Sequence, residues 1–135
     1  MTDTVSATVR ISATPEEVFP YLVRADLLVE WLGSWAHLEP VPGGRFDVDI
    51  GGQATRGEFV AVEPNNRVVF TWGFPGSDTL PPGSSQVEIL LTADGHDTVV
   101  SLTHTGIPAE RRASHRDGWI EHLDVLVAVL EPGAR

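Results

Sequence analysis

The stretch Gly118-Trp119-Ile120-Glu121-His122-Leu123-Asp124-Val125-Leu126-Val127-Ala128-Val129-Leu130 decides the fold. Trp119, Leu123, Leu126 and Leu130 recur at spacings of three and four, the apolar stripe of an amphipathic helix. Gly106-Ile107-Pro108 opens the helix and Pro132-Gly133 stops it. At about 1.5 Å per residue, residues 108–130 would span roughly 30–35 Å. No other segment promises a helix of that length.

Against this helix stand six runs that read as strands with one apolar face. Val5, Ala7, Val9 and Ile11 alternate with polar residues, as do Phe46, Val48 and Ile50. Residues 56–63 and 67–72 follow, separated by the turn Pro64-Asn65-Asn66. Val87, Ile89 and Leu91 lead to the hairpin signal Asp94-Gly95, after which Val100, Leu102 and His104 share one face. Between the first two strands, Thr14-Pro15-Glu16-Glu17 has the form of a capping box that starts a helix, and Pro20 should kink or shorten it. A second short helix is expected over residues 24–31. Residues 33–44 and 73–85, rich in Gly and Pro, read as loops. The order is strand, two short helices, five strands, long helix. Six half-apolar strands and one covering helix require the sheet to curl around that helix. The expectation is an α+β fold, a curved six-stranded antiparallel sheet wrapped on a C-terminal helix, in a single domain spanning residues 1–135.

Composition bounds the chemistry. A chain of 135 residues with 41% apolar and 21% charged residues has room for one core. The formal net charge is −10, and all nine basic residues are arginine, so nucleic acid and anionic membranes are poor partners. The absence of cysteine excludes thiolate nucleophiles and disulfides. The absence of lysine excludes Schiff-base chemistry. No apolar run reaches the roughly 20 residues of a membrane span, and the first residues carry no signal-like core, which points to a cytoplasmic protein.

Several words of the sequence carry a family resemblance. They are Ile11-Ser12-Ala13-Thr14-Pro15-Glu16-Glu17-Val18-Phe19, Trp31-Leu32 and Pro42-Gly43-Gly44-Arg45-Phe46. Arg56-Gly57-Glu58-Phe59-Val60-Ala61-Val62-Glu63-Pro64, Arg67-Val68-Val69-Phe70-Thr71-Trp72, Leu102-Thr103-His104-Thr105-Gly106 and Gly118-Trp119 complete the set. In this order they resemble the SRPBCC superfamily of START-like, birch-pollen-allergen-like domains with a helix-grip fold. Within it the chain is most similar to the family named for the C-terminal domain of the activator of heat-shock-protein-90 ATPase. The resemblance implies a cavity between sheet and helix, a chaperone as a possible partner and a link to the stress response. Pro20 departs from the usual helical pattern. Superfamily members include carriers, receptors, cyclases and co-chaperones, so fold alone does not select a function.

The candidate ligand-binding residues are Trp31, Trp35, Phe46, Val48, Phe70, Trp72, Ile89, Leu102, His104, His115 and Trp119. The strand residues among them face the helix and either fill a solid core or line a cavity beside the helix's N-terminal half. Trp31 and Trp35 flank the loop where a cavity mouth would lie. Trp119 fits the core stripe. His104 is either a buried, hydrogen-bonded histidine or a polar contact for a ligand. His115 and His122 lie near the Trp119 stripe but lack the convergent third ligand of a metal site. Glu58 would be a candidate base only if Val60 and Val62 point inward. No catalytic residue, metal or cofactor is assigned. The leading reading is a domain that binds a small apolar molecule, as monomer or homodimer; a chaperone-interacting module and a cyclase- or hydrolase-like enzyme are the alternatives.

Overall fold

The structure, a computed structural model, describes residues 3–131. One antiparallel sheet is built from β1 (Val5–Ile11), β2 (Trp35–Leu38), β3 (Arg45–Ile50), β4 (Gln53–Glu63), β5 (Arg67–Trp72), β6 (Ser85–Asp94) and β7 (Asp97–Thr105). Its strand order is β1-β7-β6-β5-β4-β3-β2, so the chain's first strand closes one edge beside its last. The long helix α4 (Arg112–Leu130) follows a 3-10 turn at Ala109–Arg111. Trp119, Leu123 and Leu126 of the expected stripe are buried, and Leu130 is half-buried at the helix end. The helix stop assigned to Pro132-Gly133 lies outside the described residues. No helix of the described residues is long and apolar enough to cross a membrane.

Two expectations are corrected. The sheet has seven strands, not six: β2 lies within the segment read as a loop, pairing Ala36 with Val48 and Leu38 with Phe46. Only four residues long, with its side chains alternating between exposed and half-buried, it gives too weak a pattern to stand out beside Pro40 and Pro42. The two short helices are three single turns, α1 (Pro15–Val18), α2 (Pro20–Val23) and α3 (Ala25–Leu28). Pro20 has no N–H to continue α1 and instead starts α2 at the position where that loss costs nothing. Arg24 then turns extended (φ −105°, ψ 127°) and separates α2 from α3.

Local chemistry fixes the entry into these turns. The Thr14 hydroxyl accepts from the Glu17 N–H at 3.3 Å, and the Glu17 carboxylate accepts from the Thr14 N–H at 2.9 Å. This reciprocal cap satisfies two donors that a helix start leaves open. It directs Val18 and Leu22 inward, where they join Leu28, Trp31 and Leu32 in the core.

The sheet's concave face is filled unevenly. Over β3, β4 and β5 it is packed with aromatic rings: Phe46 stacks on Phe70 at 3.8 Å and 12°, and Phe59 meets Phe46 edge-on at 5.5 Å. A register shift between Phe59 and Ala61 puts one extra residue into β4 against β5. That bulge turns Phe59 into the core and leaves Val60 and Glu58 exposed. Asp47, expected on the wet side, is only 3% exposed, because the Arg45 guanidinium folds over it at 2.6–2.8 Å.

Close approach of β4 to β5 depends on Gly57, since a Cβ there would stand 1.9 Å from the Thr71 carbonyl oxygen. Gly57→Ala should therefore lower the unfolding free energy by at least about 2 kcal/mol in urea titration, the cost of a forced backbone shift. An unchanged midpoint would show that the strands can separate freely at this point.

Candidate functional site

A cavity of about 230 Å³ opens where the aromatic filling ends. Its sheet side is Ile50 at the end of β3, Gln53 and Thr55 at the start of β4, Trp72 at the end of β5 and Phe74 just beyond. Its helix side is Ser114, His115, Gly118, Trp119 and His122. These helix positions recur at intervals of one, three and four, so they form a single face of α4. The hairpin Gly51-Gly52, with φ 57° and 82°, lets β3 and β4 reverse tightly at the rim. Gly118 keeps the helix wall low: a Cβ built there meets nothing within 4 Å.

A chain of hydrogen bonds joins helix to sheet behind the cavity. Trp119 Nε1 lies 3.0 Å from His104 Nδ1, His104 Nε2 lies 2.9 Å from Ser85 Oγ, and Ser85 Oγ lies 2.6 Å from the Trp72 carbonyl oxygen. Indole N–H can only donate, so His104 Nδ1 must be the acceptor and Nε2 must carry the proton. Nε2–H then donates to Ser85, whose hydroxyl donates to Trp72. The ring is fully buried and neutral, its pKa lowered to about 3 first by burial and then by the nearby His115. His115 is shifted down as well, by burial and then by Arg111. His122 Nδ1 sits 3.1 Å from the Trp31 carbonyl oxygen and must donate to it, which in the neutral ring makes Nε2 an acceptor.

Among the described residues, two buried side-chain polar atoms have no hydrogen-bond partner: Thr55 Oγ1 and Trp72 Nε1. Both residues border this cavity, with the unpaired atoms themselves closed off from it. Trp72 is otherwise tightly held, with the rings of Trp119 at 5.0 Å and His104 at 5.5 Å.

The sequence-derived candidates separate into three groups. Trp72, His115 and Trp119 line the cavity, and His104 lies directly behind Trp119. Phe46, Val48, Phe70, Ile89 and Leu102 are at most 1% exposed and form solid core rather than cavity wall. Trp31 is core too, its indole donating to the Tyr21 carbonyl at 2.9 Å, while Trp35 is 48% exposed with the Arg56 guanidinium 5.5 Å above its ring. Neither tryptophan borders the cavity. Glu58, exposed, lies beside a separate groove.

Thr55, Phe74 and Gly118 were missed. Thr55 precedes the residue at which alternation suggested that strand begins, and Phe74 sits in a Gly/Pro-rich loop without period. Gly118 did carry a signal, being a glycine inside an otherwise well-formed helical stripe.

The model of the family described as Activator of Hsp90 ATPase homolog 1-like protein matches residues 12–131. Among solved structures, the chain is similar to the AHSA1-like protein RHE_CH02687 of Rhizobium etli, at 36% identity and a TM-score of 0.76, covering 96% of this chain and 82% of that one. It is similar to protein MLL2253 of Mesorhizobium loti at 26% identity and a TM-score of 0.85, covering 96% and 97%. DynU16, from the dynemicin biosynthetic locus, matches at 26% identity and a TM-score of 0.85; 98% of this chain is covered, which spans 49% of DynU16. No curated protein matches the chain.

The buried histidine generates a pH prediction. Its lowered folded-state pKa means that its contribution to stability is complete above the ordinary value of 6.5 and is lost as pH falls from there toward about 3. The slope for one such proton is up to about 1.4 kcal/mol per pH unit. His104→Asn keeps an acceptor for Trp119 and should cost about 1–3 kcal/mol at neutral pH. Urea unfolding followed from pH 6.5 downward should show a shallower loss in the variant; parallel curves would contradict the assignment.

Proposed function

The chain belongs to the Activator of Hsp90 ATPase homolog 1-like family, and from that premise we propose that it binds one small, largely apolar molecule in the cavity between α4 and the ends of β3, β4 and β5. The observation that carries this reading is a space of about 230 Å³ between helix and sheet, lined mainly by apolar and aromatic groups with a few polar side chains among them. A guest entering it gains the burial of its own apolar surface.

Volume sets the scale of the guest. Apolar protein cavities of roughly 150 Å³ accept benzene, so about 230 Å³ suits one substituted ring. Gly118 supports the same reading. Glycine inside a helix is disfavoured by roughly 0.5–1 kcal/mol relative to alanine, and nothing nearby requires its small size. Its effect is to keep space open on the cavity side of α4.

The family takes its description from activators of the Hsp90 ATPase. The cavity supports small-molecule binding in this chain rather than that activity. The hydrogen bonding of His104 also favours binding over acid–base catalysis there. Both nitrogens of His104 are engaged and the ring is withdrawn behind Trp119, while Glu58 stands outside the cavity.

Substitution of Gly118 separates stability from binding. Gly118→Ala should raise the unfolding free energy by about 0.5–1 kcal/mol. Gly118→Leu should project into the cavity and weaken binding of one-ring aromatic probes at least tenfold, as read by native mass spectrometry and quenching of tryptophan fluorescence. Wild-type affinity in the leucine variant would place the guest elsewhere.

A further inference from the structure

Most of the positive charge in this acidic chain is already committed. Arg10, Arg24, Arg45, Arg56 and Arg67 each hold a carboxylate at 2.6–3.0 Å. Arg112 donates its Nε–H to the Ile107 carbonyl oxygen at 3.0 Å. The Arg111 side chain differs: among the described residues it has neither an ion pair nor a hydrogen bond. Its guanidinium rests over the Phe74 ring, 5.8 Å from the centroid. A cation–π contact of this kind uses none of the guanidinium's N–H donors, so all of them stay available to an acceptor.

Phe74 brings this cation to the cavity. Gln53 and Phe74 line the cavity and also an adjoining hollow that Arg111 borders, so the two spaces share those side chains as a rim. The charge is felt in the cavity wall, where the pKa of His115 is lowered by burial and then by Arg111. Asp78 borders the same hollow, but it is exposed and makes no ion pair with Arg111 among the described residues. No aspartate or glutamate lines the cavity itself. His122, two turns beyond His115 on the cavity wall, is the other group that could meet an anion. Its Nδ1 is engaged with the Trp31 carbonyl oxygen, and in the neutral ring Nε2 accepts rather than donates. Arg111 is cationic at every working pH.

We propose that Arg111 anchors an aromatic carboxylic acid at this cavity, its ring inside and its carboxylate at the rim across Phe74. The inference rests on the cavity reading above and names its ligand class. The space of about 230 Å³ takes the ring, whose apolar faces match the lining. A short tail carries the carboxylate out over Phe74 to the guanidinium. At the rim the carboxylate keeps part of its hydration, which avoids the large cost of burying it unpaired. It gains charge-assisted hydrogen bonds from a planar fork that suits its two oxygens. The chain's net charge of −10 opposes an anion at long range, so the attraction is a contact at Arg111 rather than a field of the whole molecule.

Phenylpropanoate and phenylpropanamide have the same ring, tail and shape and differ in charge. Calorimetric titration at neutral pH and low salt should show the acid binding more tightly than the amide, with the preference shrinking as salt is added. Arg111→Gln should lower the acid-to-amide affinity ratio about threefold to tenfold and leave the amide's own affinity within about twofold. Comparing the ratio between proteins cancels the two probes' unequal attraction to water. Arg116→Gln makes the same charge change at an exposed position of α4 and should leave the ratio within about twofold. His122→Gln should likewise leave it in place.

Equal binding of acid and amide in the unaltered protein, or a ratio that Arg111→Gln does not change, overturns the anchor while the cavity reading stands. An equal fall in Arg116→Gln replaces the contact with a general field and overturns it too. A fall in His122→Gln alone turns the guest around in the cavity and overturns the assignment to Arg111. Failure of both probes to bind overturns the cavity reading and the anchor together. The acid–amide comparison needs no variant, so the proposal stays falsifiable if a substituted chain folds poorly.

Discussion

Everything about this molecule's interior depends on how one helix is held against a sheet that it cannot fully cover. The fastening runs from Trp119 on α4 through His104 on β7 and Ser85 on β6 to the backbone carbonyl of Trp72 on β5. Four elements are tied by three hydrogen bonds, each with its donor dictated by what the group can chemically do. Hydrogen-bonded chains of this kind lose their value if one member changes protonation. His104 must stay neutral for Trp119 to donate to it, and its burial ensures that. The helix is thereby fixed at its midpoint, and the width of the gap beside it follows.

On one side of the fastening the interior is full. Phe46, Phe59 and Phe70 interlock over β3–β5 in stacked and edge-on contacts, consistent with close-packed protein cores. On the other side, toward the helix N-terminus, side-chain volume runs short. Gly118 contributes none, and β3 and β4 end here in the tight Gly51-Gly52 hairpin. The boundary between the two regimes is Trp72 itself. One part of its ring packs among the phenylalanines, at 6.3 Å from Phe70, while its N–H faces no protein partner. A core built purely for stability would have closed this space, since voids and unpaired polar groups both destabilise.

The sequence made the architecture legible because its signals were periodic. The three-four spacing of Trp119, Leu123 and Leu126, the alternation of β7, and the Thr14–Glu17 cap each followed from a local rule that the structure obeys, while in β3 and β5 the alternating apolar set is buried and Asp47 and Val69 are buried as well. β2 escaped because a four-residue edge strand offers hardly one full alternation. The interior was legible only by face, not by depth. Alternation says that Phe46, Val48, Phe70, Trp72, Ile89 and Leu102 point the same way, but it cannot say how far α4 stands from each. Hence the cavity's general position beside the helix's N-terminal half could be anticipated, while five of those strand residues proved to be packing and one proved to be wall. Thr55 and Phe74 needed the three-dimensional end of β5 and the start of β4 brought together, which no single run of residues encodes.

Proton transfer is the chemistry a histidine-rich cavity first suggests, and the hydrogen bonds argue against it here. For His104 to take a proton, Nδ1 would have to give up the Trp119 N–H. To release one, Nε2 would have to abandon Ser85. His115 stands beside the rings of Phe74 and His104, and burial together with the charge of Arg111 disfavours its protonated form. General acid–base catalysis requires a group poised to exchange its proton near the operating pH. His104 and His115 are both biased toward the neutral form. What remains available in the space is apolar contact, with the polar side chains of Gln53, Ser114 and His122 among its lining. That set can recognise and retain a molecule, and it is the physical reason for reading the site as a place of binding.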